Sequence, residues 1–155
     1  MNIRNYRSED CKMILKLFYD TVHSVNSKDY NELQIEAWAP KDLDLAKWDS
    51  RLSNTYSVVV EKDNVIVGVG NINNTGYFDL LYTHKDFQGI GVATLIADKI
   101  EDYVYCNGIQ MIRTDASITA KPFFEKRSYI VQKAQTVETR GQLFINFKMQ
   151  KMLCK

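Results

Sequence analysis

Between Tyr77 and Asp115 the chain reads as a strand, a turn containing two glycines, a long helix and a second strand, and this unit constrains the fold more than any other stretch. Tyr77 to Thr83 is the first strand. Phe87-Gln88-Gly89-Ile90-Gly91-Val92-Ala93 then feeds a helix on which Val92, Leu95, Ile96, Ile100, Tyr103 and Val104 recur three or four residues apart. Asn107-Gly108 ends that helix, and Ile109 to Asp115 forms the next strand. Two strands joined by one crossover helix are parallel neighbours in a sheet, so the remaining elements must assemble around such a pair.

The flanking sequence supplies those elements. Asn2 to Tyr6 reads as a short strand. Ser8 caps a helix to about Val25, with Ile14, Leu17, Phe18, Thr21, Val22 and Val25 on one face. A second helix covers Tyr30 to Ala39 and stops at Pro40, which disfavours helix in the residue before it. Leu45, Trp48 and Leu52 mark a third. Tyr56 to Glu61 and Val65 to Asn73 are β-branched runs around Lys62-Asp63-Asn64, a hairpin signal. Ala120 to Arg127 is a short helix with Pro122 in its first turn, and strands Tyr129 to Glu138 and Leu143 to Gln150 close the chain. In the last strand Leu143, Ile145, Phe147 and Met149 alternate with Phe144, Asn146, Lys148 and Gln150, which predicts one buried face and places Phe144 on the outer one. An outward Phe144 suggests an interface between two copies of the chain.

Composition narrows the function classes. The chain has 155 residues, enough for one domain over residues 1–155, with 45% hydrophobic and 25% charged residues. Lys plus Arg total 20 against 19 for Asp plus Glu, so the formal net charge is +1 and no basic excess marks a nucleic-acid binder. The run Val65 to Val69 is too short to cross a bilayer, and Arg4, Arg7, Glu9 and Asp10 precede any apolar stretch, so no secretory signal is visible. Cys11, Cys106 and Cys154 are scattered, and only His23 and His84 accompany them, so neither a disulfide framework nor a metal site is expected. These features fit a cytoplasmic protein.

The chemistry-bearing unit is the strand, glycine turn and helix start from Asp79 to Leu95. A helix N-terminus offers free backbone N–H groups and the positive end of the macrodipole, and so attracts phosphate. Gly89 and Gly91 let the backbone approach an anion without a Cβ in the way. No Gly-Lys-Ser/Thr follows, so the turn is not a nucleotide P-loop, and the spacing is not that of a dinucleotide fingerprint.

Gln88-Gly89-Ile90-Gly91-Val92-Ala93 resembles the Gln/Arg-x-x-Gly-x-Gly/Ala motif of the GNAT superfamily of acyl-CoA N-acyltransferases, and Leu80 to Phe87 is similar to that superfamily's strand and approach loop. Ala120-Lys121-Pro122-Phe123-Phe124-Glu125-Lys126-Arg127-Ser128-Tyr129 resembles its second recurring segment. The likeness covers essentially the whole chain. It implies an α+β (mixed α/β) fold: a mostly antiparallel sheet of six to seven strands with one splayed parallel pair, flanked by four to five helices.

The resemblance also implies roles for residues. The stretch Gln88, Gly89, Ile90, Gly91, Val92, Ala93 and Thr94 would hold the pyrophosphate of acetyl-CoA. Leu81, Tyr82 and Thr83 would bond the pantetheine arm as if it were an added strand, with an amide near Tyr82 polarising the thioester carbonyl. Ser117, Ala120, Phe123 and Phe124 would line the other side of the arm, and Lys126 and Arg127 would reach the distal phosphate. Attack by an uncharged amine needs a base, direct or through water. Asp79 is the first choice, taken to share a strand face with Tyr77 and Leu81, and Glu36 is the second. Many relatives have a Tyr that protonates the departing CoA thiolate where this chain has Phe124, which leaves Tyr129, Tyr82 or water for that step, or none.

The expected function is therefore transfer of an acetyl group from acetyl-CoA to a primary amine within a ternary complex, with no metal, no nucleic acid and no membrane involved. A small-molecule acceptor is favoured, while a protein N-terminus or lysine stays open. Two rivals stand beside it: a non-catalytic acyl-CoA-binding module, and a nucleotide-binding domain using the same turn. Trp38 and Trp48 read as core residues that could also wall an acceptor pocket.

Overall fold

Seven strands form two hydrogen-bonded sheets, one ordered β1-β2-β3-β4 and the other β5-β7-β6, in a computed structural model that describes residues 1–153. Cys154, the third of the cysteines, lies outside the described residues. The strands are β1 (Asn2–Asn5), β2 (Tyr56–Lys62), β3 (Val65–Ile72), β4 (Phe78–Thr83), β5 (Met111–Ser117), β6 (Ile130–Thr139) and β7 (Gln142–Met152). The helices are α1 (Cys11–Ser24), α2 (Glu32–Trp38), α3 (Leu45–Ser53), α4 (Val92–Cys106) and α5 (Lys121–Lys126). Every pairing within the two sheets is antiparallel, and they join through one parallel bridge, Tyr77 to Arg113. This is the mixed α+β architecture that the sequence predicts, with the parallel pair parted so far that the sheet divides at it. Among the described residues no helix is long and apolar enough to cross a membrane.

The alternation of strand side chains builds a core on each side. Val59, Val69 and Leu80 pack with Ile14, Leu17, Phe18, Val22 and Leu52 from α1 and α3. Val58, Val60, Ile72 and Phe78 pack with Val92, Ile96, Ile100 and Val104 of α4. Gly68 and Gly70 decide how closely α4 sits. A Cβ on Gly68 would collide with Val92 and approach Ile96 Cδ1 to 2.9 Å, and one on Gly70 would collide with Ile96 and come within 3.1 Å of the Leu80 carbonyl. These two positions thus lay the start of α4 directly against β3 and β4.

Local signals hold the helices in place. Asn31 and Gln34 form a reciprocal capping box at the start of α2 (2.8 and 2.9 Å), and the helix stops before Ala39 and Pro40. At the chain start Ser8 belongs to a single 3-10 turn rather than capping α1, and the buried Asp10 carboxylate takes the Arg7 amide (2.8 Å) and a two-pronged Arg4 contact (2.8 and 2.9 Å).

Phe144 corrects the expectation of an outward-facing residue. It is buried against Tyr30 and Trp38, because α2 covers that face of β7, while Leu143 and Ile145 are the exposed neighbours. Towards the other end of β7 the opposite face is covered instead, with Met149 in the α4-side core. A strand buried on different faces along its length carries no single-face pattern, so Phe144 no longer supports an interface between copies. The close approach of α4 gives a direct test: Gly70→Ala should lower unfolding stability by about 1–3 kcal/mol through overpacking, measured by urea denaturation.

Candidate active site

At the bridge between β4 and β5, the Arg113 amide donates to the Gly76 carbonyl (2.8 Å) and the Thr114 hydroxyl to the Phe78 carbonyl (2.9 Å). Beyond it the strands diverge and leave a cleft of about 340 Å³ bounded by β4, β5, the start of α4, α5 and the end of α1.

A β-bulge shapes the β4 wall. Asn71 pairs with Leu80 and Ile72 with Phe78, so Asp79 is an extra residue in β4. The Leu80 amide donates to the Asn71 side chain (2.8 Å), whose amide group in turn donates to the Thr55 hydroxyl (3.0 Å). The bulge reverses the alternation. Phe78 and Leu81 both face the α4-side core, whereas Leu80 and Tyr82 face α1. Asp79 and Leu81 therefore do not share one face as simple alternation predicted, and Asp79 turns toward α3.

Ladder geometry identifies which backbone groups look into the cleft. The His84 amide donates to the Val67 carbonyl (2.8 Å), so the hydrogen-bonded pairs across β3 and β4 are His84 with Val67 and Tyr82 with Val69. Leu81 and Thr83 consequently turn their N–H and C=O groups away from β3. The Thr83 carbonyl is taken by the Thr21 hydroxyl (2.9 Å) and the Gln88 side chain (2.8 Å). The groups left along the cleft edge are the amides of Leu81 and Thr83 and the carbonyl of Leu81. Of the strand amides near Tyr82 expected to polarise a carbonyl, the Tyr82 amide itself faces β3, and its neighbours at Leu81 and Thr83 face the cleft.

Gln88 also fixes the loop that leads into α4. Gly89 has φ +74° and Gly91, the N-cap, φ +92°, both in the left-handed region, and a Cβ on either would meet nothing within 4 Å. The first backbone bond into α4 is from the Leu95 amide to the Gly91 carbonyl (3.0 Å), so the amides of Val92, Ala93 and Thr94 precede it and stay available.

Most of the residues predicted from sequence meet here. Leu81, Tyr82, Thr83, Gln88, Gly89, Gly91, Val92, Ala93 and Thr94 line one side of the cleft, and Ser117, Ala120, Phe123 and Phe124 the other. Ile90 and Lys126 are exposed and do not line it. Arg127 is committed elsewhere, to Asp98 (2.7 Å) and Glu101 (2.9 Å).

The candidate acid–base groups fare differently. Asp79 lines the cleft, but both its oxygens accept from Arg51 of α3 (2.7 and 2.8 Å), and this carboxylate lifts the guanidinium further above its usual range. Glu36 lies on the exposed face of α2, between buried Ile35 and Ala37, and is not part of the cleft. Burial pushes the Tyr82 phenol above its ordinary value, with Trp38 and Arg51 as polar neighbours, so it keeps its proton. Tyr129 is buried on the α4 side and donates to Glu101 (2.9 Å), which removes it as a proton donor to the cleft. Phe124 is a core residue packed edge-on against Phe78 and Tyr129. His23 contacts the Ala39 carbonyl, and His84 accepts from the Asp86 amide; neither lines the cleft.

Thr21, Val25, Asn26, Asp115, Ala116 and Thr119 line the cleft without having been named as site residues from the sequence, and Trp38 does so as a pocket wall. Asp115 is the most consequential. It accepts from the Tyr77 hydroxyl (2.9 Å) and the Gln135 amide (3.3 Å). Its register relation to Ser117 on β5 is the one signal that could have indicated it.

This parted-strand cleft, closed by a helix N-terminus, has relatives. The sequence pattern of the acetyltransferase (GNAT) domain matches residues 26–151. The uncharacterized N-acetyltransferase YafP of Escherichia coli (strain K12) is 32% identical over 150 residues, 96% of this chain and 94% of its own length. Among solved structures, a GCN5-related N-acetyltransferase from Rhodopseudomonas palustris superposes with a TM-score of 0.94 at 32% identity, over 98% of this chain and 95% of that one. PaiA N-acetyltransferase from Thermoplasma acidophilum, solved in complex with coenzyme A, gives 0.81 at 15% identity over 97% and 98%. The protein is an acetyltransferase by class, and this chain belongs to the GNAT family.

The placement of Tyr129 can be checked. Tyr129→Phe should cost about 1.5–3 kcal/mol in urea denaturation, the loss of one hydrogen bond to the Glu101 carboxylate. Acetyl transfer should continue at the wild-type kcat; a fall of more than about tenfold would return Tyr129 to the site.

Proposed function

We propose that the protein transfers the acetyl group of acetyl-CoA to a primary amine by direct attack in a ternary complex. One observation carries this reading: the unpaired backbone groups of β4, the Leu81 amide and carbonyl and the Thr83 amide, lie opposite Ser117 on a cleft that runs to the free amides of Val92 to Thr94. An extended arm bearing amides would bond to that edge as a strand bonds to its neighbour. Its pyrophosphate would end at the α4 N-terminus, where Gly89 and Gly91 leave space. The family match and a fold neighbour solved with coenzyme A support the same ligand.

In the reaction the amine nitrogen forms a bond to the carbonyl carbon and the C–S bond breaks. CoA leaves as thiolate, and the proton lost by the nitrogen passes to water in the cleft. The Leu81 or Thr83 amide would stabilise the developing oxyanion. Asp79, with both oxygens held by Arg51, acts as a fixed acceptor that orders the water taking the amine proton rather than as a free base. The thiolate needs little assistance, since an ordinary thiol pKa is about 8.5, and Tyr82 is the protonated phenol in reach of the cleft.

Burial of Phe124 and the hold of Arg51 on Asp79 favour a second reading, an acyl-CoA-binding module without turnover. One experiment separates the two: calorimetric titration with acetyl-CoA followed by amine-dependent release of free thiol. The acetyltransferase reading expects both binding and release. Gly91→Glu should abolish binding in a folded protein, and Asp79→Asn should lower kcat about tenfold with acetyl-CoA affinity within about twofold. Binding without release from a broad amine panel would favour the module, and no binding would sink both readings.

A further inference from the structure

The charged side chains lining the cleft are Asp79 and Asp115, with no lysine or arginine among them in the described residues. Their environments differ. Asp79 is neutralised by Arg51, whose two nitrogens hold both of its oxygens. Asp115 accepts only from neutral groups, the Tyr77 hydroxyl and the Gln135 amide, and no ion pair reaches it among the described residues. The cleft lining therefore carries one carboxylate held in no ion pair, half-buried on β5, two residues from Ser117 and opposite the exposed Lys148 of β7 in the strand register. Tyr77 and Gln135 approach from β4's end and from β6, so the carboxylate is oriented from two elements and leaves lone pairs for another donor. Trp38 adds an aromatic wall to the same cleft.

We infer that Asp115 anchors the acceptor, and that the acceptor is a small primary amine bound as a cation and carrying no carboxylate of its own. An ammonium group brings the donors and the charge that Asp115 lacks. An amino acid would bring a further carboxylate beside Asp115 and Asp79, with the nearby Arg51 guanidinium already paired to Asp79. Size limits the choice as well: about 340 Å³ must admit the thioester end of the cosubstrate together with the acceptor, which is near the lower limit for small-molecule sites. The bound ammonium gives one proton to water before attack, so Asp115 contributes mainly to binding.

This inference rests on the acetyltransferase reading, and its test keeps the two apart. Wild-type protein is assayed with paired acceptors that differ by a carboxylate, cadaverine against lysine and tyramine against tyrosine, while acetyl-CoA binding is followed separately by calorimetry. The expected result is a kcat/KM at least about tenfold higher for each decarboxylated member. Asp115→Asn, nearly isosteric and able to keep a hydrogen bond to Tyr77, should raise KM for the amines at least about tenfold with a smaller change in kcat. It should also shrink the preference within each pair and leave acetyl-CoA affinity within about twofold. Intact acetyl-CoA binding with equal or reversed preference, or an unchanged KM in Asp115→Asn, overturns the inference alone. Failure of wild type to bind acetyl-CoA overturns the acetyltransferase reading and this inference with it. The paired-substrate comparison uses the unaltered protein, so it stands even if the variant folds poorly.

Discussion

Strands β4 and β5 start together at the Tyr77–Arg113 bridge and then part, and the site exists because they do. Had the pair stayed in register, the N–H and C=O groups of Leu81 and Thr83 would have been consumed by a ladder. Parting them leaves the Leu81 amide and carbonyl and the Thr83 amide free, the Thr83 carbonyl being taken by Thr21 and Gln88, and a free edge inside a protein needs a partner or water. The sheets can afford the division because each has antiparallel neighbours of its own, β3 behind β4 and β7 behind β5. Gly68 and Gly70 then set α4 close against β3, so the helix start arrives at the mouth of the gap rather than above it.

Charge is arranged with similar economy. A network of ion pairs and one hydrogen bond, joining Arg127, Lys151 and Tyr129 to Glu101 with Asp98 at its rim, lies on the α4 side and ties the last strand to that helix. The cleft itself contains two carboxylates and neutral polar groups. One carboxylate is clamped by Arg51 from α3, and the other faces the space where an acceptor would enter. In the proposed complex, phosphate recognition at the other end would fall to backbone amides, which carry no side chain to be desolvated and follow a loop held by the Gln88 bond to the Thr83 carbonyl.

Much of this was legible in the sequence, for physical reasons. The glycine turn and long helix marked the crossover, because helical spacing after two glycines admits few alternatives, and the order of elements followed from hydrophobic period alone. The cleft residues on β4, α4 and α5 came from matching two segments to a family. The departures have specific causes. No glycine or proline announces the bulge at Asp79; it arises because the Asn71 side chain, distant in sequence, captures the Leu80 amide. Asp115 looked like any strand residue, since alternation assigns two faces without revealing which one meets the gap. Phe144 looked exposed because nothing local to β7 records that α2 folds over it, and Glu36 fell outside the site because α2 buries Ile35 and Ala37 instead.

The most direct test of the central claim is residue-resolved: amide chemical shifts in a nitrogen-15-labelled protein during titration with acetyl-CoA. The account predicts large perturbations at the Leu81 and Thr83 amides and at Val92, Ala93 and Thr94, with the Tyr82 amide, bonded into β3, shifting much less. Perturbations confined to other surfaces, or a Tyr82 amide that responds while Leu81 and Thr83 do not, would contradict it.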